Sequence, residues 1–301
     1  MPRPPTRSSS RSAPPSAGAR ITGSATAIRT SRIWAMTSAT LLRSRTVGGT
    51  TYQEAGSGEP LILIHGVGMR LEAWEPQLRG LSDLRRVIAV DMPGHGGSER
   101  LPHGARLPEF VAWFGRFLDD LGLASVAVAG HSMGALIAGG AAATYGARID
   151  RVALLNGVYR RGPKARAAVV ARSREIDTGQ VDLAAPLARW FSASEVGSEP
   201  YALVRDWLAG VDVAGYGTAY AAFAEGDDVY ADAWPKVNCP ALFLTGEHDP
   251  NSTPEMSRAM AAAAPRGEAV IVTGHRHMVN LTAPELVNTA LEAWLDGRRA
   301  A

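Results

Sequence analysis

Ser132 stands in the pentapeptide Gly130-His131-Ser132-Met133-Gly134, after the apolar run Ser125-Val126-Ala127-Val128-Ala129 and before a run of small residues, 135–143. That order encodes a strand, a tight turn and a helix, with the serine at the apex. So sharp a turn leaves no room for side chains two residues to either side, which is why glycine occupies 130 and 134. A serine hydroxyl is a poor nucleophile at neutral pH. It needs a histidine to take its proton and a carboxylate to hold that histidine in one tautomer. Asp249 and His277 are the downstream candidates, with Glu247 on the same loop as the first and His275 two residues before the second.

Each candidate sits just beyond a strand. Asp249 follows the apolar segment Ala241-Leu242-Phe243-Leu244-Thr245 and the turn Gly246-Glu247-His248. His277 follows Ala269-Val270-Ile271-Val272-Thr273-Gly274 and precedes the helix signal Pro284-Glu285. Functional groups of open α/β sheets collect at the carboxyl ends of strands, so three residues from three strands can converge there. The spacing after the strand favours Asp249 over Glu247. Attack on a carbonyl creates an oxyanion, and the amide of Met133, at the positive end of the helix after the turn, is placed to donate to it. Asp91 also ends a strand, but its Pro-Gly-His-Gly continuation reads as a turn that needs an anchoring carboxylate. Residues 285–295 space their apolar side chains for a helix packed on the sheet, with Pro284 in its first turn and Gly297 as a stop.

The chain closely resembles the α/β-hydrolase superfamily, in which a triad runs in the order Ser, Asp, His. Four motifs carry the likeness: the turn around Ser132; His65-Gly66-Val67-Gly68 after the strand Leu61-Ile62-Leu63-Ile64; Asp91-Met92-Pro93-Gly94-His95-Gly96-Gly97-Ser98 after the next strand; and the segment from Gly274 to Pro284. Similarity spans about residues 46–298. It implies a mostly parallel sheet flanked by helices with an inserted helical lid, and it assigns the second oxyanion donor to the amide of Val67. The family pattern, a histidine followed by an apolar residue with proline seven places on, fits His277 and not His275. His65, Gly66, His131, Trp190 and Trp207 are expected to line the substrate pocket. His65 and His95 belong to loops whose usual role is structural, so neither they nor His131 are expected to carry the proton. Ala188-Arg189-Trp190-Phe191 and Gly215-Tyr216 resemble the 3-oxoadipate enol-lactonase branch. A serine nucleophile separates the chain from related dehalogenases and epoxide hydrolases, which use aspartate there.

The expectation is therefore a serine hydrolase of small or medium carboxylic esters or lactones, working through an acyl-enzyme. Hydrolysis of a carbon–carbon bond or an enol-lactone is the alternative, and a ligand-sensing receptor is the non-enzymatic one. No metal-ligand spacing or phosphate-cradling loop is evident, so no cofactor is expected.

With 301 residues, 46% of them hydrophobic, the chain can bury a large core. The boundaries read as an unstructured extension over 1–40, a core over 41–156 and 236–301, and a lid over 157–235. A first hairpin should turn at Gly48-Gly49. The formal charge of +2 misleads, because residues 1–45 hold eight arginines and no lysine, aspartate or glutamate; the remainder is net −6, eight below the whole-chain value. Nucleic-acid binding is therefore not expected, and no apolar run reaches membrane-spanning length. Arginines 160, 161, 166, 172 and 174 with Lys164 read as a solvated face more than as an anion site. Lone Cys239 reads as packing, and a cytoplasmic location is expected. An acid-free Arg/Ser-rich start also fits a transit peptide over 1–35 or a true start at Met36. Oligomeric state is not legible.

Overall fold

Parallel strands covered on both faces must be apolar throughout, and the runs singled out above obey that rule. The computed structural model describes residues 19–21 and 42–297. Its strands are β1 (Ala19–Ile21), β2 (Ser44–Arg45), β3 (Thr51–Ala55), β4 (Pro60–Ile64), β5 (Arg86–Val90), β6 (Val126–His131), β7 (Ile149–Leu155), β8 (Ala241–Gly246) and β9 (Gly267–Val272). They form one sheet in the order β1-β9-β8-β7-β6-β4-β5-β3-β2. Every neighbouring pair is parallel except β3 with β5 and β2 with β3.

Side chains alternate across the sheet and split the core in two. Ile62, Ile64, Val128 and Phe243 meet one layer, which includes Phe110, Phe114 and Phe117 of helix Leu107–Asp120 and the buried face of helix Met133–Tyr145. Leu61, Leu63, Leu242 and Val272 meet the other, where Leu78, Leu291 and Trp294 lie on helices Glu75–Leu81 and Pro284–Leu295.

After β4 the chain passes to β5 on one side, and after β6 it passes to β7 on the other. The crevice at the carboxyl ends of β4 and β6 is thus the switch point at which α/β sheets place their ligands. His65-Gly66-Val67 leaves β4 there and Ser132 leaves β6. Between β7 and β8 the chain forms helices Pro163–Asp177, Ala184–Trp190, Glu199–Ala209 and Val213–Glu225. No described helix is long and apolar enough to cross a membrane.

The hairpin of β2 and β3 forms as expected, with Gly49 in the left-handed region at φ 79°. The extension expected over 1–40 departs from an unstructured reading at β1, whose three residues pair in parallel with Val270, Ile271 and Val272. Met36 and the rest of that extension lie outside the described residues. Cys239 is half-buried, and burial pushes its thiol up.

Candidate active site

Ser132 caps helix Met133–Tyr145 with φ 55° and ψ −112°, a left-handed conformation that costs a non-glycine residue of order 1–3 kcal/mol. Packing enforces it. A Cβ on Gly130 would meet the Gly134 carbonyl oxygen at 2.0 Å, and one on Gly134 would meet that of Ile64 at 2.1 Å. The Ser132 amide donates to the Leu155 carbonyl at 2.9 Å, tying the turn to the end of β7.

The loop after β4 lies against the serine: a Cβ on Gly66 would sit 3.1 Å from the Ser132 Cβ. The amide of the next residue, Val67, and that of Met133 make no hydrogen bond among those of the described turns and caps. Met133 is the first residue of its helix, whose opening amides have no partner within it. Neither expected oxyanion donor therefore has a partner among the described turns and caps.

Asp249 is buried in the loop after β8, and four donors converge on it. His277 Nδ1 approaches Oδ2 at 2.7 Å and Asn156 Nδ2 at 2.8 Å, while Oδ1 accepts from the amides of Asn251 at 2.8 Å and Ser252 at 3.2 Å. Burial pushes this carboxyl up, but His277 and these donors outweigh it and hold the group below the usual aspartate range. The carboxylate fixes the proton on Nδ1 of His277 and leaves Nε2 free to accept another. The His277 amide donates to the Trp190 carbonyl at 3.3 Å, and the Trp190 ring stacks on the imidazole with centroids 5.6 Å apart. The hydroxyl of Ser132 makes no hydrogen bond to the imidazole among the described residues; catalytic contacts of this kind commonly tighten only with substrate in place.

Three other histidines are braces. His131 Nε2 donates to the His277 carbonyl at 2.8 Å, and their rings lie 4.9 Å apart. His95 Nε2 accepts from the Gly68 amide at 2.9 Å and His65 Nε2 from the Met92 amide at 3.1 Å, so each carries its proton on Nδ1 and donates it to a carbonyl, of Pro93 and Gly66 respectively. Burial pulls His65 down to about 4 and His95 and His131 to about 3, which keeps all three neutral at pH 7. Asp91 takes the amides of Leu71 and Gly97, both at 2.8 Å, and so anchors its turn.

Asp249 and His277 meet, and the rival residues sit elsewhere. Glu247 accepts from the Gly274 amide and pairs with Arg20; His275 lies 3.0 Å from the Thr282 hydroxyl. Gly66 lies against Ser132, and His131 and Trp190 flank His277, while the His65 ring turns to the Gly66 carbonyl and the Met92 amide. Trp207 is half-buried; its carbonyl accepts from the Gly210 amide at 3.2 Å, and its side chain makes no hydrogen bond or ring contact among the described residues. Its neighbour Leu208, with Tyr216, is what packs on Gly68. Sequence reasoning missed Asn156, fully buried at the end of β7 with φ 50°. Its amide also reaches Thr245 Oγ1 at 3.2 Å and the Arg276 carbonyl at 3.3 Å. The one available signal was an asparagine directly after the apolar run that ends at Leu155.

A family model described as Alpha/beta hydrolase family matches residues 61–290. An (E)-2-((N-methylformamido)methylene)succinate hydrolase of Acinetobacter baylyi is 51% identical over 245 residues, spanning 81% of this chain and 93% of that protein. Among solved structures, a thermophilic esterase from Thermogutta terrifontis with malate bound has TM-score 0.77 at 25% identity, covering 86% of this chain and 99% of that one. An enol-lactonase from Burkholderia xenovorans has TM-score 0.73 at 28% identity, covering 85% and 100%.

Proposed function

The chain belongs to the alpha/beta hydrolase family, and from that premise we propose that it is a serine hydrolase whose nucleophile is Ser132. The observation that carries this reading is the buried 2.7 Å pair of His277 and Asp249, set at the strand ends beside a serine on a strained turn. In the proposed cycle Ser132 Oγ attacks the substrate carbonyl carbon while Nε2 of His277 takes its proton. Asp249 stabilises the resulting imidazolium, and the amides of Val67 and Met133 meet the oxyanion. The imidazolium then protonates the leaving group, the acyl-enzyme remains, and water activated by the same imidazole releases the acid.

Small to medium carboxylic esters and lactones suit this chemistry. So does the bond between a formyl carbon and an enamine nitrogen, present in the compound for which the Acinetobacter protein is named; that compound is the first substrate to test. Enol-lactone or carbon–carbon bond hydrolysis is a second reading, favoured by the likeness to the enol-lactonase. The Asp249–His277 pair disfavours a ligand-sensing receptor, and tight ligand binding without turnover would revive that reading. Residues 157–235 act, in this proposal, as a lid, because Trp190 of that segment holds the His277 loop and Tyr216 and Leu208 pack on Gly68.

The test is Ser132→Ala, which should lower turnover of p-nitrophenyl esters by ~10⁴-fold or more with the fold retained. An unchanged rate would refute the assignment.

A further inference from the structure

The loop after β7 carries an arginine that its surroundings do not fully satisfy. The Arg161 side chain is only 4% exposed, and its Nη1 donates to Asp227 Oδ1 at 3.1 Å, to the Phe223 carbonyl at 3.2 Å and to the Ala224 carbonyl at 3.5 Å. Its Nη2 is buried and has no partner among the described residues. Asp227 is not its private counter-ion, since Arg166 Nη2 also approaches that carboxylate at 3.2 Å. Asp228 adds a second negative charge, but it pairs with Arg166. Burial is the largest influence on the Arg161 guanidinium and lowers its pKa despite Asp227 and Tyr220. An orphaned donor on a buried cation is a costly feature to keep unless an anion completes it.

The position of Arg161 says which anion. The guanidinium lies over the Phe223 ring, 4.3 Å from its centroid. Along helix Val213–Glu225 the Phe223 ring meets Tyr220 edge to face and Tyr220 meets Tyr216 at a tilt, with centroid distances of 5.9 and 5.8 Å, and Tyr216 in turn packs on Gly68, next to the Val67 amide. Seven residues of helix separate Tyr216 from Phe223, about 10 Å. One aromatic strip therefore runs from the loop of the proposed oxyanion donor to the orphaned nitrogen. Arg172, on helix Pro163–Asp177, interacts with the Tyr220 hydroxyl partway along it. A guanidinium with a free N–H is suited to a carboxylate.

We propose that Arg161 receives, through Nη2, a carboxylate of the substrate, and that the enzyme selects acyl compounds bearing an anionic carboxylate away from the scissile bond. This rests on Ser132 as nucleophile, which fluorophosphonate labelling tests by itself. The probes are p-nitrophenyl butyrate and mono-p-nitrophenyl succinate, acyl groups of equal chain length that differ by a terminal carboxylate. In the wild type the ratio of kcat/KM, succinate over butyrate, should exceed about tenfold, and Arg161→Gln should reduce that ratio by about 10- to 100-fold, the size of a hydrogen bond to a charged group. Free succinate should compete with substrate better than butyrate does. Should Arg161→Gln fail to fold, the wild-type ratio and the inhibition pair still decide. A labelled Ser132 with a wild-type ratio near one, or a ratio that Arg161→Gln leaves unmoved, would overturn the proposal without touching the nucleophile.

Discussion

At the residue scale, the site is a chain of donors ending on one carboxylate. Asn156 shares Oδ2 of Asp249 with the imidazole, so it sets both the position and the basicity of that oxygen. Asn156→Ala should lower kcat by about 10- to 100-fold, the cost of losing a hydrogen bond to a charge. A loss of stability with kcat unmoved would assign Asn156 to structure alone. Asp249→Asn should cost ~10⁴-fold in kcat, through the wrong tautomer of His277; retention of full activity would point to another carboxylate. The places of Ser132, Asp249 and His277 beyond the ends of strands were legible because each follows an apolar strand run. Asn156 and Arg161 were not. The first acts through a left-handed turn and a partner 93 positions away; the second is one of several arginines in a stretch that reads as a solvated face. Its burial depends on Phe223 and Asp227, more than sixty residues on.

At the scale of elements, the turn after β6 is held by backbone contact with β4. Gly134→Ala would drive a methyl into the Ile64 and His65 carbonyls, and overpacking of this kind costs typically 1–3 kcal/mol. A urea midpoint lowered to match, with weaker labelling of Ser132, is the expected result; an unchanged midpoint would mean that the turn has slack the packing does not suggest. Strands buried on both faces announce themselves as continuous apolar runs, which is why β4, β6, β7, β8 and β9 could be read directly. β1 could not, since three residues at a sheet edge have no such pattern. Trp207 is the residue expected at the pocket; on its helix it is Leu208, one position on, that packs on Gly68.

For the whole molecule, three neutral buried histidines link stability to acidity. His65, His95 and His131 have folded pKa values of about 4, 3 and 3, against 6.5 when unfolded. The unfolded chain therefore binds more protons than the folded one below pH 6.5, and stability falls as pH drops from there towards 4. Each group contributes about 1.4 kcal/mol per pH unit across that window. Asp249, with its lowered pKa, adds a loss in the same direction only below the ordinary aspartate range. Urea unfolding at pH 7, 6 and 5 should show a steepening decline, and a flat profile would mean that these rings are not held neutral in the fold.

The most direct test of the central claim is labelling with a fluorophosphonate followed by peptide mapping, on the wild type and on His277→Ala. The account predicts one modified residue, Ser132, in the wild type, and its modification nearly abolished when the imidazole is removed. Modification at another residue, or labelling of Ser132 that is indifferent to His277, would contradict it.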